Sequence, residues 1–209
     1  AYKNGTSIQT GSSSSNPVQR SLQSRLDDFV NVRSFGANGD GTDQTLALQR
    51  AIDQLFLPWS SATDADSLRK RVTLKLDAGL YKISNSLKVP PYVNLVGDGS
   101  DKTVIEQTGA YAVIETINGN GINAQTSSTN QSNIIKLEGM TLKSYLTNPA
   151  LKLSSTKDSQ FIDIKLQGPW TQGSAITSTQ IGLLMEATST PVTTQNNNFE
   201  KLKVVGFSY

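Results

Sequence analysis

The chain contains neither cysteine nor histidine. Without cysteine there are no disulfides and no thiolate chemistry, and the redox compartment leaves no trace in the sequence. Without histidine, Ser-His-Asp and Cys-His catalysis and histidine-ligated metals are excluded within these 209 residues. Carboxylates are the only ordinary acid–base side chains left near neutral pH. No apolar run is long enough to cross a bilayer, and the front of the chain lacks the charged-then-apolar pattern of an export signal. The formal net charge is +2, too small to argue for nucleic acid or an anionic membrane surface as a partner. No motif calls for a cofactor or a metal. What remains is a chain leaning to Ser, Thr, Asn, Gln and Gly, as in a solenoid with many exposed turns.

The stretch around which the rest is organised is VNVRSFGANGDGTDQTLALQRAID, residues Val30 to Asp53. Val30, Val32 and Phe35 follow a roughly period-two pattern that predicts a strand running into a turn. Gly36, Gly39 and Gly41 supply a backbone free to take positive φ, with Asn38 and Asp40 able to hydrogen-bond it locally. Thr42 or Asp43 is a natural N-cap. Beyond it Leu48, Ala51, Ile52, Leu55 and Phe56 share one helical face, with Gln49, Arg50 and Asp53 on the other. The expectation is a cap helix over residues 43–56 whose apolar side covers something.

FGANGDGTDQTLALQRAID resembles the entry segment of the pectate-lyase-like right-handed β-helix superfamily, in which a short helix plugs the first coil. The usual form has one more residue before the acidic pair and a second Asp where this chain has Gln44. Both departures fall in the turn and leave the helix frame intact. The resemblance implies an all-β fold, a right-handed parallel β-helix with an N-terminal capping helix. It says little about chemistry, since viral tailspikes, polygalacturonases and glucanases share such a start.

Residues 1–16 carry a Ser run and little to bury, which predicts a flexible or partner-ordered arm. The opening AYKNG has no start methionine, so a fragment or a processed product is expected. From Pro17, Val18, Leu22, Leu26 and Phe29 recur at spacings of four, four and three, predicting a short helical neck over residues 17–30. A helix this short is marginal alone and must pack on the next domain or on copies of itself. SLQSRLDDFVNVRSFGA is similar to the neck that joins the virion-binding head of bacteriophage tailspikes and tail fibres to their β-helix. That likeness implies a homotrimer, with phage tail or baseplate proteins held through the arm.

A polar loop, PWSSATDADSLRK, separates the cap from the β-helix proper, residues 31–209 taken with the cap. Residues 71–107 alternate apolar and polar positions in short pieces. Val72, Leu74 and Leu76 are expected to point inward, as are Tyr81 with Ile83, Leu87 with Val89, and Val93 with Leu95. A second polar excursion runs from Asn118 to Asn133. Then LEGMTLKS from Leu137, FIDIKLQG from Phe161 and FEKLKVVG from Phe199 align without gaps, each with apolar residues first, three later and five later. A repeat of this length is a solenoid signature, because one coil cannot bury its own interior. ALKL at Ala150 and GLLM at Gly182 read as further strands. The last repeat precedes Tyr209 with no closing cap, so the solenoid is expected to continue or to end against a partner.

Paired carboxylates facing one groove can hydrolyse glycosides. Asp158, Asp163, Glu138, Glu186 and Glu200 are the candidates, each against the plainer alternative of a solvated charge. Asp163, between inward-facing Phe161 and Ile164, is expected to face solvent, and Glu138 to stack one coil from Ile162. No motif selects a catalytic residue among them. The GDG triplets at Gly39 and Gly97 lack Walker or EF-hand spacing and are read as turn chemistry. Trp170, Trp59 and Tyr145 could stack on sugars, and Trp170, placed after a repeat, is the substrate-binding candidate, with loop anchoring as the alternative. Asn196 to Asn198 is a turn or an inward ladder, with the turn favoured.

Two functions follow from the resemblance. One is a bacteriophage tailspike or tail-fibre component located in the virion, presenting its β-helix to host cell-surface glycan. The other is an enzyme, a polysaccharide depolymerase of hydrolase or lyase type acting on capsule or lipopolysaccharide.

Overall fold

The computed structural model describes residues 7–8, 19–20, 29–56, 72–117, 132–145, 148–169, 180–187 and 193–207. In the body of the chain nearly every strand is parallel to its neighbours, and successive strands stack into three faces wound as a parallel β-helix.

The first face carries β3 (Phe29–Asn31), β5 (Thr73–Lys75), β8 (Asn94–Val96), the first half of β11 (Lys136–Lys143), the first half of β13 (Gln160–Gln167), and β15 (Asn198–Glu200). The second carries β4 (Asp40–Asp43), β6 (Gly79–Ile83), β9 (Thr103–Gln107), the second halves of β11 and β13, and β16 (Lys203–Val205). The third is a four-stranded sheet in the order β14 (Leu183–Glu186), β12 (Leu151–Ser154), β10 (Ile114–Thr116), β7 (Leu87–Val89).

The three aligned repeats lie over one another as expected. Leu137, Phe161 and Phe199 are in register, Met140 lies over Ile164, and Leu142 lies between Ile105 and Leu166. The Phe161 and Phe199 rings stack with centroids 4.9 Å apart, the spacing of hydrogen-bonded strands. The conformation of the third residue explains why the repeat steps by three before it steps by two. Gly139, Asp163 and Lys201 all have positive φ (65°, 50° and 54°), which bends each repeat from the first face onto the second. At Gly139 a side chain would also be tight, since a Cβ would meet the Gly97 carbonyl oxygen at 3.0 Å. A second left-handed column, Tyr92, Ile134, Asp158 and Asn196, opens the first face in successive coils.

Leu74, Leu76, Tyr81, Ile83, Leu87, Val89, Val93 and Leu95 are buried as read from their alternation, whereas Val72 is only half-buried. Where apolar filling gives way at a corner, hydroxyl and amide groups pair with one another. Gln107 donates to Ser144 Oγ, and Thr116 shares a 2.7 Å hydrogen bond with Thr156, inside the stack.

The cap helix α1 runs over Thr45–Phe56, two residues inside the expected start. Leu48, Ala51, Ile52 and Phe56 are buried against the first coils. Asp43 fills the capping role, its Oδ1 accepting from the Thr45 amide at 3.0 Å and the Thr45 hydroxyl at 2.6 Å. Gln44, the departure from the family's usual acid, accepts from the Gly39 amide at 3.0 Å and donates to Asp40 at 2.7 Å. It pins the glycine turn to the helix start. Gln49, read as part of the outer face, has a structural task instead. Its Oε1 accepts from the Lys88 amide at 2.8 Å and its Nε2 donates to the Lys88 carbonyl at 3.0 Å. The helix thereby pairs the backbone of β7, the strand at the edge of the four-stranded sheet.

The front of the chain agrees with expectation in part. The strand running into a turn is there, a short strand ending at Asn31 with a 3-10 turn following over Val32–Phe35. The Asn31 side chain caps that turn by accepting from Arg33 N, and Gly36 closes it with φ 95°. The helical neck of residues 17–30 is not helical at its described ends. β2 (Gln19–Arg20) pairs antiparallel with β1 (Ser7–Ile8), and Phe29 belongs to β3, paired with β5. Backbone groups used in these ladders are not available for helical hydrogen bonds. The intervening residues 21–28 lie outside the described residues, as do 57–71 and 118–131, which hold most of the two polar excursions.

Candidate functional site

The outer surface of the four-stranded sheet carries an alternating row of charges, built by strand register. Lys88 on β7, Glu115 on β10 and Lys152 on β12 are aligned because Leu87, Ile114 and Leu151, the inward residues before them, are aligned. Ser154 on β12 pairs with Glu186 on β14. Glu115 contacts the Lys88 ammonium through Oε2 and the Lys152 ammonium through Oε1 at 3.3 Å. Lys152 also reaches Glu186 Oε1 at 3.0 Å, and Ser154 Oγ donates to the same oxygen at 3.0 Å.

Glu115 is only 6% exposed although it faces outward. Burial of its amine is the largest single influence on Lys152 and pulls its pKa down. The hydrogen bond to Glu186 and the charges of Glu115 and Glu186 outweigh it and hold Lys152 above its ordinary value of 10.5. Lys152 therefore stays charged across the neutral range. The row offers fixed charges and hydrogen-bonding groups at the spacing of the coils. Both of its carboxylates are engaged by ammonium groups, an arrangement suited to holding a polar ligand more than to delivering a proton.

A parallel arrangement marks the second face. Lys143 on β11 reaches Glu106 on β9 at 3.0 Å and lies 4.7 Å from the centre of the Tyr145 ring. Tyr145 is 41% exposed, so this aromatic candidate is accessible on the wall.

The remaining candidates are dispersed. Glu138 lies over Ile162 as expected and pairs with Lys136 at 2.6 Å. Asp163 is not a solvated charge. Held at positive φ on the corner, it accepts from the Ser100 amide at 3.1 Å and the Ser100 hydroxyl at 2.9 Å, closing the GDG turn of the first coils onto a later one. Asp158 is exposed beside Asn196, and Glu200 is exposed on β15. The GDG at Gly97 lies in a turn, with Asp98 accepting from the Ala78 amide, while the GDG at Gly39 leads into β4, with Asp40 accepting from Thr42. The Asn run is the favoured turn, not an inward ladder. Asn196 makes the left-handed turn, while Asn197 reaches back one coil to the Thr156 carbonyl at 2.8 Å. Trp170 and Trp59 lie outside the described residues.

Of the four-residue charged row, only Glu186 stood among the sequence candidates. Glu115 was missed because IET is too short to show alternation, although its place at the strand centre, directly before the polar excursion, was a usable signal. Among the described residues no group of three acidic, His or Cys side chains could hold a metal, and no helix is long and apolar enough to cross a membrane.

Comparison with known proteins gives this geometry a family. A glucan 1,3-beta-glucosidase of Cochliobolus carbonum is 34% identical over 94 residues, covering 42% of this chain and 10% of that protein. This chain thus spans about a tenth of the length of the curated relative it matches. Among solved structures, ORF18 of Geobacillus virus E2 superposes over 78% of this chain and 32% of its own, with a TM-score of 0.54 and 22% identity. The N-terminal fragment of bacteriophage Phi29 gene product 12 covers 66% of this chain and 22% of its own, with a TM-score of 0.49 and 21% identity. The family model described as rhamnogalacturonase A/epimerase, pectate lyase-like, matches residues 29–208. The chain therefore belongs to the rhamnogalacturonase A/epimerase, pectate lyase-like family, and its three stacked faces are the β-helix of that family.

Proposed function

We propose that this chain is part of a bacteriophage tailspike or tail fibre, located in the virion, that presents a β-helix for recognition of host surface polysaccharide. The observation that carries the reading is the order of parts. A segment whose sequence resembles a tailspike neck precedes a helix-capped β-helix, and that β-helix is shared over 78% of the chain with a viral protein. The charged row of Lys88, Glu115, Lys152 and Glu186 and the exposed Tyr145 are the surfaces offered to glycan. The neck brings three copies together, and the arm docks on tail or baseplate proteins.

A second reading is favoured by the family and the glucan 1,3-beta-glucosidase relative, and by two carboxylates flanking one lysine. On that reading the whole protein is a polysaccharide depolymerase. Incubation with host capsule or lipopolysaccharide separates the two. Retention of polysaccharide without released oligosaccharide is expected. Release that is abolished by Glu186→Gln would establish the depolymerase and overturn the preference for a binding role.

A further inference from the structure

The first face carries a groove that none of the chemistry above uses. Its volume is about 300 Å3, and it is lined by Tyr92, Asn94, Ile134, Lys136, Asp158 and Gln160 among others. It lies where the second left-handed column meets the sheet, so consecutive coils each contribute a corner residue and a strand residue to it.

Three observations set the groove apart from an ordinary stretch of wall. Ile134 is β-branched yet sits at φ 53° and is 55% exposed, so a strained backbone holds an apolar side chain at the surface. The Asn94 amide is half satisfied. Nδ2 donates to Thr73 Oγ1 at 2.8 Å, while Oδ1 is buried with no partner among the described residues. Turning the amide over exchanges which end is orphaned and does not remove the orphan. Finally, the polar groups form a row in register, with Asn94 beside Lys136 and Lys136 beside Gln160, one per coil.

From these we infer that the groove on the first face is a binding site for a neutral saccharide unit, distinct from the charged row on the four-stranded sheet. The charges select the class. Lys136 is neutralised by Glu138 at 2.6 Å, and Asp158 adds a carboxylate that accepts from the neutral Asn196 amide at 3.3 Å, so an anionic ligand gains nothing here. The exposed Asp158 carboxylate and Gln160 amide oxygen accept from sugar hydroxyls, the Gln160 amide nitrogen donates to ring and hydroxyl oxygens, and Ile134 with Tyr92 offers an apolar flank to the sugar's C–H face. A second copy of the chain is a poorer occupant, because Ile134 is the only strongly exposed apolar side chain among the lining residues of this small groove. The biological setting of the inference rests on the polysaccharide-recognition reading above.

Ligand-observed saturation-transfer NMR on the full chain tests it, using maltohexaose, isomaltohexaose, laminarihexaose and mannohexaose as neutral probes and trigalacturonate as the acidic one. At least one neutral probe is expected to bind. Its affinity should fall at least tenfold in Gln160→Ala and in Ile134→Asn, the latter chosen because Asn tolerates the left-handed backbone. Lys152→Met, on the other sheet, should leave that affinity unchanged. Matched unfolding curves identify any variant that fails to fold, and the two groove variants serve as checks on each other. The inference is overturned if no neutral probe binds, if neutral binding survives both groove variants, or if trigalacturonate occupies the groove more tightly than any neutral probe. A sedimentation shift in Ile134→Asn would overturn it in favour of a contact between copies. Trigalacturonate binding that depends on Lys152, with no neutral binding, would sink the groove and spare the function proposed above. No binding of either class would remove both.

Discussion

The cap is tested most directly at Gln49, one side chain that satisfies both backbone groups of Lys88 on an edge strand. Gln49→Ala removes an acceptor from the Lys88 amide and a donor from its carbonyl while keeping a strong helix former in α1. Each such hydrogen bond contributes about 0.5–1.5 kcal/mol net, so the pair amounts to about 1–3 kcal/mol. The groups are only part-buried and water replaces some of the loss, which places the expectation near 2 kcal/mol. For a domain of this size that corresponds to a fall in Tm of roughly 4–8 °C. Gln49→Glu keeps the acceptor but loses the donor and sets a second carboxylate against Asp53, to which Gln49 Nε2 donates at 2.7 Å, so it should also be less stable than the parent. Urea denaturation gives the global cost, and hydrogen exchange at the Lys88 amide gives the local one. Exchange there should quicken in Gln49→Ala while amides of β12 stay as protected as the rest of the stack. A change below about 0.5 kcal/mol with Lys88 protection unaltered would show that the helix does not secure the edge, and the capping argument would fail with it.

Three further outcomes follow from the structure. Gly97→Ala places a Cβ 2.3 Å from the Gly139 carbonyl oxygen, so the stack must open there. A loss of about 3 kcal/mol or more is expected by urea denaturation, against about 0.5 kcal/mol for an ordinary surface substitution. Asp98 is held below its ordinary 3.8 by the Lys75 ammonium and then the Ala78 amide, and Asp43 by the hydroxyls of Ser84 and Thr45. A depressed carboxylate pKa stabilises the fold above the unfolded value and ceases to do so as pH falls through the folded one. Tm should therefore be flat near neutral pH and decline below about pH 4, less steeply in the Asp43→Asn, Asp98→Asn double variant. Finally, sedimentation of a chain lacking residues 1–29 should show weaker association than the parent, and unchanged association would remove the neck from the trimer proposal.

Much of the fold is visible in the sequence because the solenoid repeats its own constraint. Every coil must send apolar residues inward at the same points, so LEGMTLKS, FIDIKLQG and FEKLKVVG declare their stacking without any knowledge of the turns. The cap helix is equally legible, since a glycine turn, a capping acid and an apolar stripe agree with one another. The charged row is not. Lys88, Glu115, Lys152 and Glu186 are separated by excursions of different length, and only the parallel register brings them side by side. Asp163 misled for a related reason. Alternation places it outward, but its left-handed backbone and the reach of Ser100 are properties of the corner, which periodicity does not encode. At the front, the apolar spacing from Val18 to Phe29 suits a helix, yet at both described ends it is overridden by strand pairing.

The bend at Gly139, Asp163 and Lys201 takes one residue in each coil, and the pairs on either side keep their partners whether the next copy arrives 24 or 38 residues later. Length differences between coils are thus absorbed away from this hinge line, which acts as the spine of the molecule. New segments grafted between β12 and β13, or between β13 and β14, would alter the outline a partner meets while the spine keeps its alignment. A scaffold built this way can change what it recognises by lengthening its loops, with no need to redesign its interior.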